Sequence, residues 1–287
     1  MDPNYTYHEL VLDSQYATSA FTSAPVKDWP QYTFSNPLGN IDYIKILEVQ
    51  IPFSFYVINS TNNKFFYIDS NTAISHLITI PVGNYNGSTM AASLATQLSA
   101  ASSTVFTVEF LNPIQKFRFT SSSNEFVFQF GVKGDHGDTN PRIWLGFDDG
   151  LSSSSLSKVL VSPNVSAVTG PNYLYVNSST IGPLCGIYSE ESIGGVGREM
   201  AQVPVNCSAG GVIFWQDPDP THWFALRRLS TLQTIDLFCT LGGTLAPEPM
   251  SFNGQGFVIK VGVLSANTMV SDTTQLPQGV SKRIRVA

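Results

Sequence analysis

Short runs in which every second residue is apolar recur along most of the chain. The runs Lys116–Thr120 and Phe126–Phe130 both place phenylalanine at alternate positions. This period of two is typical of a β-strand that buries one face and exposes the other. Only polar residues of the turn-forming type separate the two runs, so the pattern predicts a β-hairpin over Lys116–Phe130.

The same reasoning predicts strands from one end of the chain to the other. Turn residues such as the segment 36–40 and the pair Asn62-Asn63 separate the runs. The predicted strands are His8–Leu12, Gln31–Phe34, Tyr43–Ile51, Phe53–Ile58, Phe65–Ile68, His76–Ile80, Phe106–Phe110, Lys116–Thr120, Glu125–Phe130, Lys158–Val161, Tyr173–Val176, Gln202–Asn206, Val212–Trp215, Thr231–Cys239 and Gly256–Leu264.

One segment has a helical pattern instead. Met90, Leu94 and Leu98 follow one another at spacings of four, alanine fills much of the remainder, and residues 87–89 can cap the start. We therefore predict a helix from about Thr89 to Ala101. A single helix among so many strands indicates an all-β sandwich rather than alternating strands and helices.

The composition favours a folded chain that assembles. Hydrophobic residues make up 43% of the 287 residues and charged residues only 13%, with a net charge of −6. Disorder and coiled coils are excluded by these values, and nucleic-acid binding as the main task is disfavoured because phosphate contacts need a basic surface. Since like charges keep proteins apart, a surface poor in charge suits a protein whose surface is covered by partners.

The start of the chain has neither a basic region nor an apolar run, so we expect no signal peptide. No stretch is long and apolar enough to span a bilayer. The tail after Ser265 is polar and ends with a basic cluster, Lys282, Arg283 and Arg285. We predict that this tail is an arm rather than a strand and that the cluster is a candidate assembly contact. Contact of the cluster with nucleic acid stays open as an alternative.

Residues that could carry chemistry are scattered. Acidic pairs occur at Asp148-Asp149 and at Asp217 and Asp219, in turn-like segments where aspartate is expected anyway. Calcium binding at the second pair and glycosidase chemistry both stay open on sequence grounds. The histidines and cysteines have no metal-ligand spacing, and three widely spaced cysteines favour free thiols. The four histidines and three cysteines are His8, His76, His136, His222, Cys185, Cys207 and Cys239.

Two further segments have a functional and a structural interpretation. The glycine-rich run 194–197 lacks the complete phosphate-binding patterns and is interpreted as a flexible loop. The aromatic segment from Phe214 to Phe224 includes Trp215 and Trp223, which either stack on sugar rings or pack in the core or an interface. No catalytic constellation emerges, so we predict no enzyme activity, no cofactor and no metal.

The run 77–86 contains a short motif of the form I-x-I-P-x-G-x-Y followed directly by the predicted helix. Its defined positions are Ile78, Ile80, Pro81, Gly83 and Tyr85. This strand, turn and helix resemble those of the penton (minor capsid) proteins of virophages and polinton-like double-stranded DNA viruses. The order of the strands resembles that family loosely over about Ile41–Leu264.

The resemblance implies a single jelly-roll β-sandwich over residues 1–265 with one short helix and loop insertions, followed by a C-terminal arm at 266–287. Candidate insertions are 128–166 and 182–197. It also implies a homopentamer that closes the fivefold vertices of an icosahedral capsid, made in the host cytoplasm and located in the virion. The implied partners are trimers of a major capsid protein and cement or other minor proteins. The family brings no catalytic residues.

Two other functions stay open. A lectin-like jelly roll that binds a receptor or glycan would use exposed aromatic rings, and a β-sandwich hydrolase would need two carboxyl groups facing each other in a pocket. The number of copies in solution separates these hypotheses, because a vertex protein forms pentamers.

Overall fold

The structure is a computed structural model. It describes residues 4–20, 28–60, 62–102, 104–130, 141–148, 150–154, 157–185, 199–219, 221–226, 229, 231–241, 250–267 and 282–285. The chain divides into two compact units. The first combines Met1–Phe55 with Asn172–Ala287, and the second, Tyr56–Pro171, is inserted between these two parts of the sequence.

The strands and helices follow this division in chain order. The first unit opens with β1 (Tyr5–Asp13), β2 (Ser19–Ala20), β3 (Pro30–Gly39) and β4 (Ile41–Pro52). The inserted unit has β5 (Lys64–Asp69), β6 (Ser75–Thr79), α1 (Gly87–Ala101), β7 (Phe106–Leu111), β8 (Lys116–Ser121), β9 (Phe126–Phe130), α2 (Arg142–Leu145), β10 (Gly150–Ser153) and β11 (Val159–Val161). The first unit resumes with β12 (Tyr173–Asn177), β13 (Glu199–Pro204), β14 (Val212–Gln216), β15 (Phe224–Ala225), β16 (Thr231–Asp236), β17 (Phe238–Leu241), β18 (Val258–Ala266) and β19 (Lys282–Arg285).

The first unit is a jelly roll. Its main strands in chain order are β1, β3, β4, β12, β13, β14, the pair β16 and β17 separated by Leu237 alone, and β18. One sheet has the order β14, β4, β18, β1, and in the other β3 pairs with β16, while β17 and β13 flank β12. Thus the first of these eight strands pairs with the eighth, the second with the seventh, the third with the sixth and the fourth with the fifth. This connectivity defines a jelly roll, so the predicted all-β jelly-roll fold class is confirmed.

The core of the jelly roll is built mainly from aliphatic side chains at alternate strand positions. On β18 the buried aliphatic residues are Ile259, Val261 and Val263, and their neighbours on β4 are Val49, Ile46 and Ile44. β-Branched side chains suit these positions because they pack well on a pleated surface. The two strands occupy the middle of one sheet, where both of their edges are paired.

The core of the inserted unit is built from phenylalanine. Strands β10, β9, β5 and β6 form one sheet, and β11, β8 and β7 form the other. The buried cluster includes Phe65, Phe106, Phe117, Phe119, Phe126, Phe128, Phe130 and Phe147, with Tyr67. Ring contacts join the two sheets, for example Phe106 on β7 with Phe126 on β9, edge to face at a centroid distance of 5.1 Å.

The helix α1 covers this cluster with Met90, Leu94 and Leu98, the residues whose spacing predicted it. It begins at Gly87, two residues before the predicted start, because the Asn86 side chain accepts a hydrogen bond from the Thr89 backbone N–H and so caps the first turn. Glycine is required at position 87, since a Cβ atom there would lie 2.0 Å from Cδ1 of the Phe110 ring.

The predicted hairpin over Lys116–Phe130 is wrong. β8 pairs with β7 and β11, whereas β9 pairs with β5 and β10, so the two strands belong to different sheets. Phe119 and Phe128 meet edge to face, with ring centroids 4.9 Å apart. A hairpin would put these rings on one face of one sheet. Instead the chain crosses between sheets, so that both apolar faces become buried against each other.

The predicted strand Phe53–Ile58 is also absent. Phe53, Phe55 and Val57 are buried in alternation, but of these six residues only Ile58 forms a bridge, with Gly83. Alternating burial does not require a ladder of backbone hydrogen bonds, and here it arises from side-chain packing, with the rings of Phe53 and Phe55 stacked 4.4 Å apart.

The C-terminal tail contains a strand where we predicted an arm without one. The backbone of β19 pairs in parallel with β1, and its register aligns Lys282 with His8 and Arg285 with Val11. Of the predicted insertions, 128–166 falls within the inserted unit, while most of 182–197 lies outside the described residues.

Candidate functional site

The five motif residues lie together in the inserted unit, where they join β6 to α1. Ile78 and Ile80 are fully buried in its core. The Tyr85 hydroxyl donates to the Pro81 carbonyl oxygen at 2.6 Å, and Gly83 exchanges two backbone hydrogen bonds with Ile58. The motif therefore closes the turn that leads into the helix. All of these contacts stabilise the local fold. That the motif marks a capsid protein stays a prediction.

The strand β14 forms an edge of the jelly-roll sheet that also contains β4, β18 and β1, which we call the first jelly-roll sheet. Among the described strands it pairs with β4 alone. Val212 and Phe214 lie on the same face of β14, and 59% and 47% of their surfaces are exposed. The strand carries no charged residue and no proline, although the Asn206 side chain donates to the Phe214 carbonyl oxygen. Natural edge strands usually carry charge, proline or a bulge that blocks pairing, so β14 has the character of an interface strand.

A buried lysine organises the segment that follows β14. The side chain of Lys45 is 3% exposed and lies 2.7 Å from a carboxylate oxygen of Asp217. Its Nζ also donates to the Asp219 carbonyl oxygen and lies 5.9 Å from the centroid of the Trp223 ring. The Trp223 ring passes over Gly262, where a Cβ atom would be 2.9 Å from it.

These contacts decide the role of two candidate groups. Asp217 is an ion-pair partner, and the Asp219 carboxylate accepts hydrogen bonds from the Thr221 backbone N–H and hydroxyl group. Trp223 contacts Lys45 and packs edge to face with Tyr7. The turn thus holds Trp223 and its neighbours against the sheet. These contacts agree with the interpretation in which the aromatic segment packs within the protein.

A second buried charge was missed in the sequence. Asp236, at the end of β16, is completely buried. Its carboxylate accepts hydrogen bonds from the Trp29 indole, the Ser178 hydroxyl, the backbone N–H groups of Ser179 and Thr180, and the Thr180 hydroxyl, at 2.5–3.0 Å. All five donors are uncharged. The carboxylate ties the second sheet to the segment that follows β12. The sequence signal is weak, a lone aspartate inside the run Thr231–Cys239 that we predicted as one strand.

The remaining candidates are dispersed. Asp148 accepts a hydrogen bond from the Asn164 side chain, whereas Asp149, His136 and the glycine run 194–197 lie outside the described residues. Within the described part of the chain, no three His, Cys, Asp or Glu side chains lie close enough to hold a metal ion. Cys185, Cys207 and Cys239 are free thiols.

Burial keeps these thiols protonated. It raises the pKa of Cys185 to about 12 and raises the pKa values of Cys207 and Cys239 as well. A protonated thiol is a poor nucleophile and a poor metal ligand. None of the helices that the structure describes is long and apolar enough to cross a membrane.

Comparisons with known proteins find a similar solved structure but no match by sequence. No family model and no curated protein matches the sequence. Among solved structures, the crystal structure of the selenomethionine-labelled penton protein of mavirus matches 92% of this chain and 100% of its own, with 9% identity and a TM-score of 0.48. The neighbour is a penton protein, so the predicted similarity to such proteins is confirmed.

Proposed function

We propose that this chain is a structural virion protein, a penton subunit whose five copies close the fivefold vertices of an icosahedral capsid. The observation that carries the proposal is the pair of unlike edges of the first jelly-roll sheet. At one edge β14 exposes Val212 and Phe214, and at the other β1 is followed by β19 with its basic sequence.

Unlike edges suit a closed ring. In a ring each copy uses two different surfaces, one facing the preceding copy and one facing the next. An apolar, uncharged edge strand is costly to leave in water and prone to pairing, so a ring that covers β14 at every contact removes that liability. The chain is poor in charge overall, which matches the depletion of charged residues at the centres of protein interfaces.

The motif resemblance supports the capsid assignment, and a single jelly roll with one inserted unit supports the penton in particular. The partners that we propose are further copies of the chain and the surrounding trimers of a major capsid protein, with cement or other minor proteins as additional contacts. The location is the capsid vertex. We assign no cofactor and no catalytic step to this function.

The test is the molar mass of the purified chain in solution, measured by light scattering at several protein and salt concentrations. We expect an assembly of five times the 31.3 kDa of one chain. Phe214→Lys places a charge on the exposed face of β14 and is expected to weaken the association strongly. Ile114→Lys, at an exposed apolar position of the inserted unit, is the matched control and is expected to assemble normally.

Circular dichroism of both variants checks that neither has unfolded. A chain that stays monomeric throughout the concentration range contradicts the pentamer, and so does a Phe214→Lys variant that assembles like the unmodified chain. A stable trimer would favour the lectin-like alternative, and binding to a glycan array would then be the deciding measurement.

A further inference from the structure

The C-terminal strand β19 has a pairing unlike that of the other described strands. It lies parallel to β1, with Arg283 aligned with Glu9 and Ile284 aligned with Leu10. Every other pairing among the described strands is antiparallel. β19 therefore extends a finished jelly-roll sheet at its β1 edge, and it does not belong to the eight strands that define the fold.

The connection to β19 is much longer than its own pairing requires. β18 ends at Ala266, which is aligned with Tyr5, and β19 begins at Lys282, which is aligned with His8. Two strand spacings across and three residues along β1 amount to about 14 Å. The fifteen intervening residues, 267–281, can span up to about 55 Å when extended. The connection is therefore long enough for the strand to reach a β1 edge several tens of ångströms away, such as that of a neighbouring copy.

Pairing between copies would use the same backbone hydrogen bonds as pairing within one copy. In a dilute monomer the strand of the same chain pairs preferentially, because the covalent connection raises its effective concentration to about the millimolar range. In an assembly the neighbouring β1 edge is held at a comparable local concentration, so exchange has little cost. Exchange of an identical element between protomers is a common route to stable oligomers.

Charge favours the same pairing. β1 carries Glu9 and Asp13, and the strand that pairs with it has the sequence Lys-Arg-Ile-Arg. We propose that in the assembled protein the strand Lys282–Arg285 of each copy pairs with the β1 edge of a neighbouring copy of this chain. This inference rests on the proposed self-association, and it assigns the basic tail to a neighbouring subunit rather than to nucleic acid.

The test uses two variants that are made in the same cells with different affinity tags. One carries Val11→Cys and the other Arg285→Cys, and in both Cys185 and Cys207 are replaced by serine. These positions are register partners, and the Cα atoms of neighbouring strands lie within disulfide range. After mild oxidation, exchange is expected to give a covalent dimer that carries both tags.

Three controls define that result. Each variant made alone reports pairing between identical cysteines. Val11→Cys combined with Lys282→Cys is out of register by three residues and is expected to give no dimer. Deleting residues 268–277 leaves five residues between β18 and β19, a reach of about 20 Å that permits pairing within one chain only. In this deletion background, the mixed-tag dimer is expected to disappear.

The outcomes separate this inference from the proposed function. An assembly of five chains in which a Val11→Cys/Arg285→Cys double variant forms only intrachain bonds overturns the exchange and leaves the pentamer intact. Mixed-tag dimers in an assembly of another size support the exchange and overturn the pentamer. Monomers with intrachain bonds alone overturn both. Protection of the tail by added DNA, without mixed-tag dimers, would assign the basic cluster to nucleic acid.

Discussion

The two units of this chain bury similar patterns of alternating residues in different ways. The jelly roll has long central strands, nine residues in β18 and twelve in β4, with a mostly aliphatic core and a buried carboxylate, Asp236. The inserted unit has strands of three to six residues and a cluster of phenylalanine rings. The jelly roll combines a long register between β4 and β18 with a buried, hydrogen-bonded carboxylate on another strand, whereas the inserted unit depends on large rings that reach from one sheet to the other.

The largest effect is expected in the aromatic core. Phe128→Ala removes a ring that contacts five others, and we expect it to lower the free energy of unfolding of the inserted unit by about 4 kcal/mol. Hydrogen exchange followed by mass spectrometry reads the two units separately. Phe128→Leu, which keeps most of the volume, should cost clearly less. Equal loss of protection in peptides of both units would contradict the separate stabilisation of the two cores.

A somewhat smaller effect is expected at the buried carboxylate of the jelly roll. Asp236→Ala leaves five hydrogen-bond donors without their acceptor, and we expect a destabilisation of about 3 kcal/mol. Urea unfolding followed by tryptophan fluorescence measures it, because Trp29 is one of the donors. Gln233→Ala, at an exposed position of the same strand β16, is the matched control and should leave the unfolding midpoint nearly unchanged. A neutral Asp236→Ala would show that the aliphatic core alone specifies the jelly roll.

The smallest effect concerns a cross-strand ion pair of the jelly roll. Lys260 donates to Glu48 at 2.7 Å, and this hydrogen bond lowers the pKa of Glu48. The stabilisation is therefore present above the unfolded-state pKa and is lost as the pH falls through the lower folded-state value. Glu48→Gln is expected to cost about 0.5 kcal/mol at pH 7, since solvent screens the pair.

The same variant should cost less at pH 3 than at pH 7, because protonation of Glu48 progressively removes the charge that distinguishes it from glutamine. Thermal unfolding at the two pH values measures the difference. A cost that is the same at pH 3 as at pH 7 would show that the side-chain amide disturbs packing and that the ion pair contributes no stability.

Several features could be predicted because they depend on neighbours in the sequence. The helix followed from Met90, Leu94 and Leu98, and most strands followed from alternation. The pairing partners of β8 and of β9 could not be predicted. Both sheets of the inserted unit bury phenylalanine with the same period, and alternation contains no information on which strand lies alongside which. Likewise, nothing near Asp236 in the sequence indicates that Trp29, more than 200 residues away, donates to it.

The strand-rich architecture, the one long helix and the charge-poor character of the chain follow from the sequence alone, since each depends on local periodicity or composition. Three other properties are visible only in the folded chain. The motif around Ile80 belongs to an inserted unit, Lys45 and Asp236 are buried with partners, and β14 and β19 lie at opposite edges of one sheet. Those properties come from contacts between residues far apart in the chain, and the free energy of such contacts depends on the fold that brings them together.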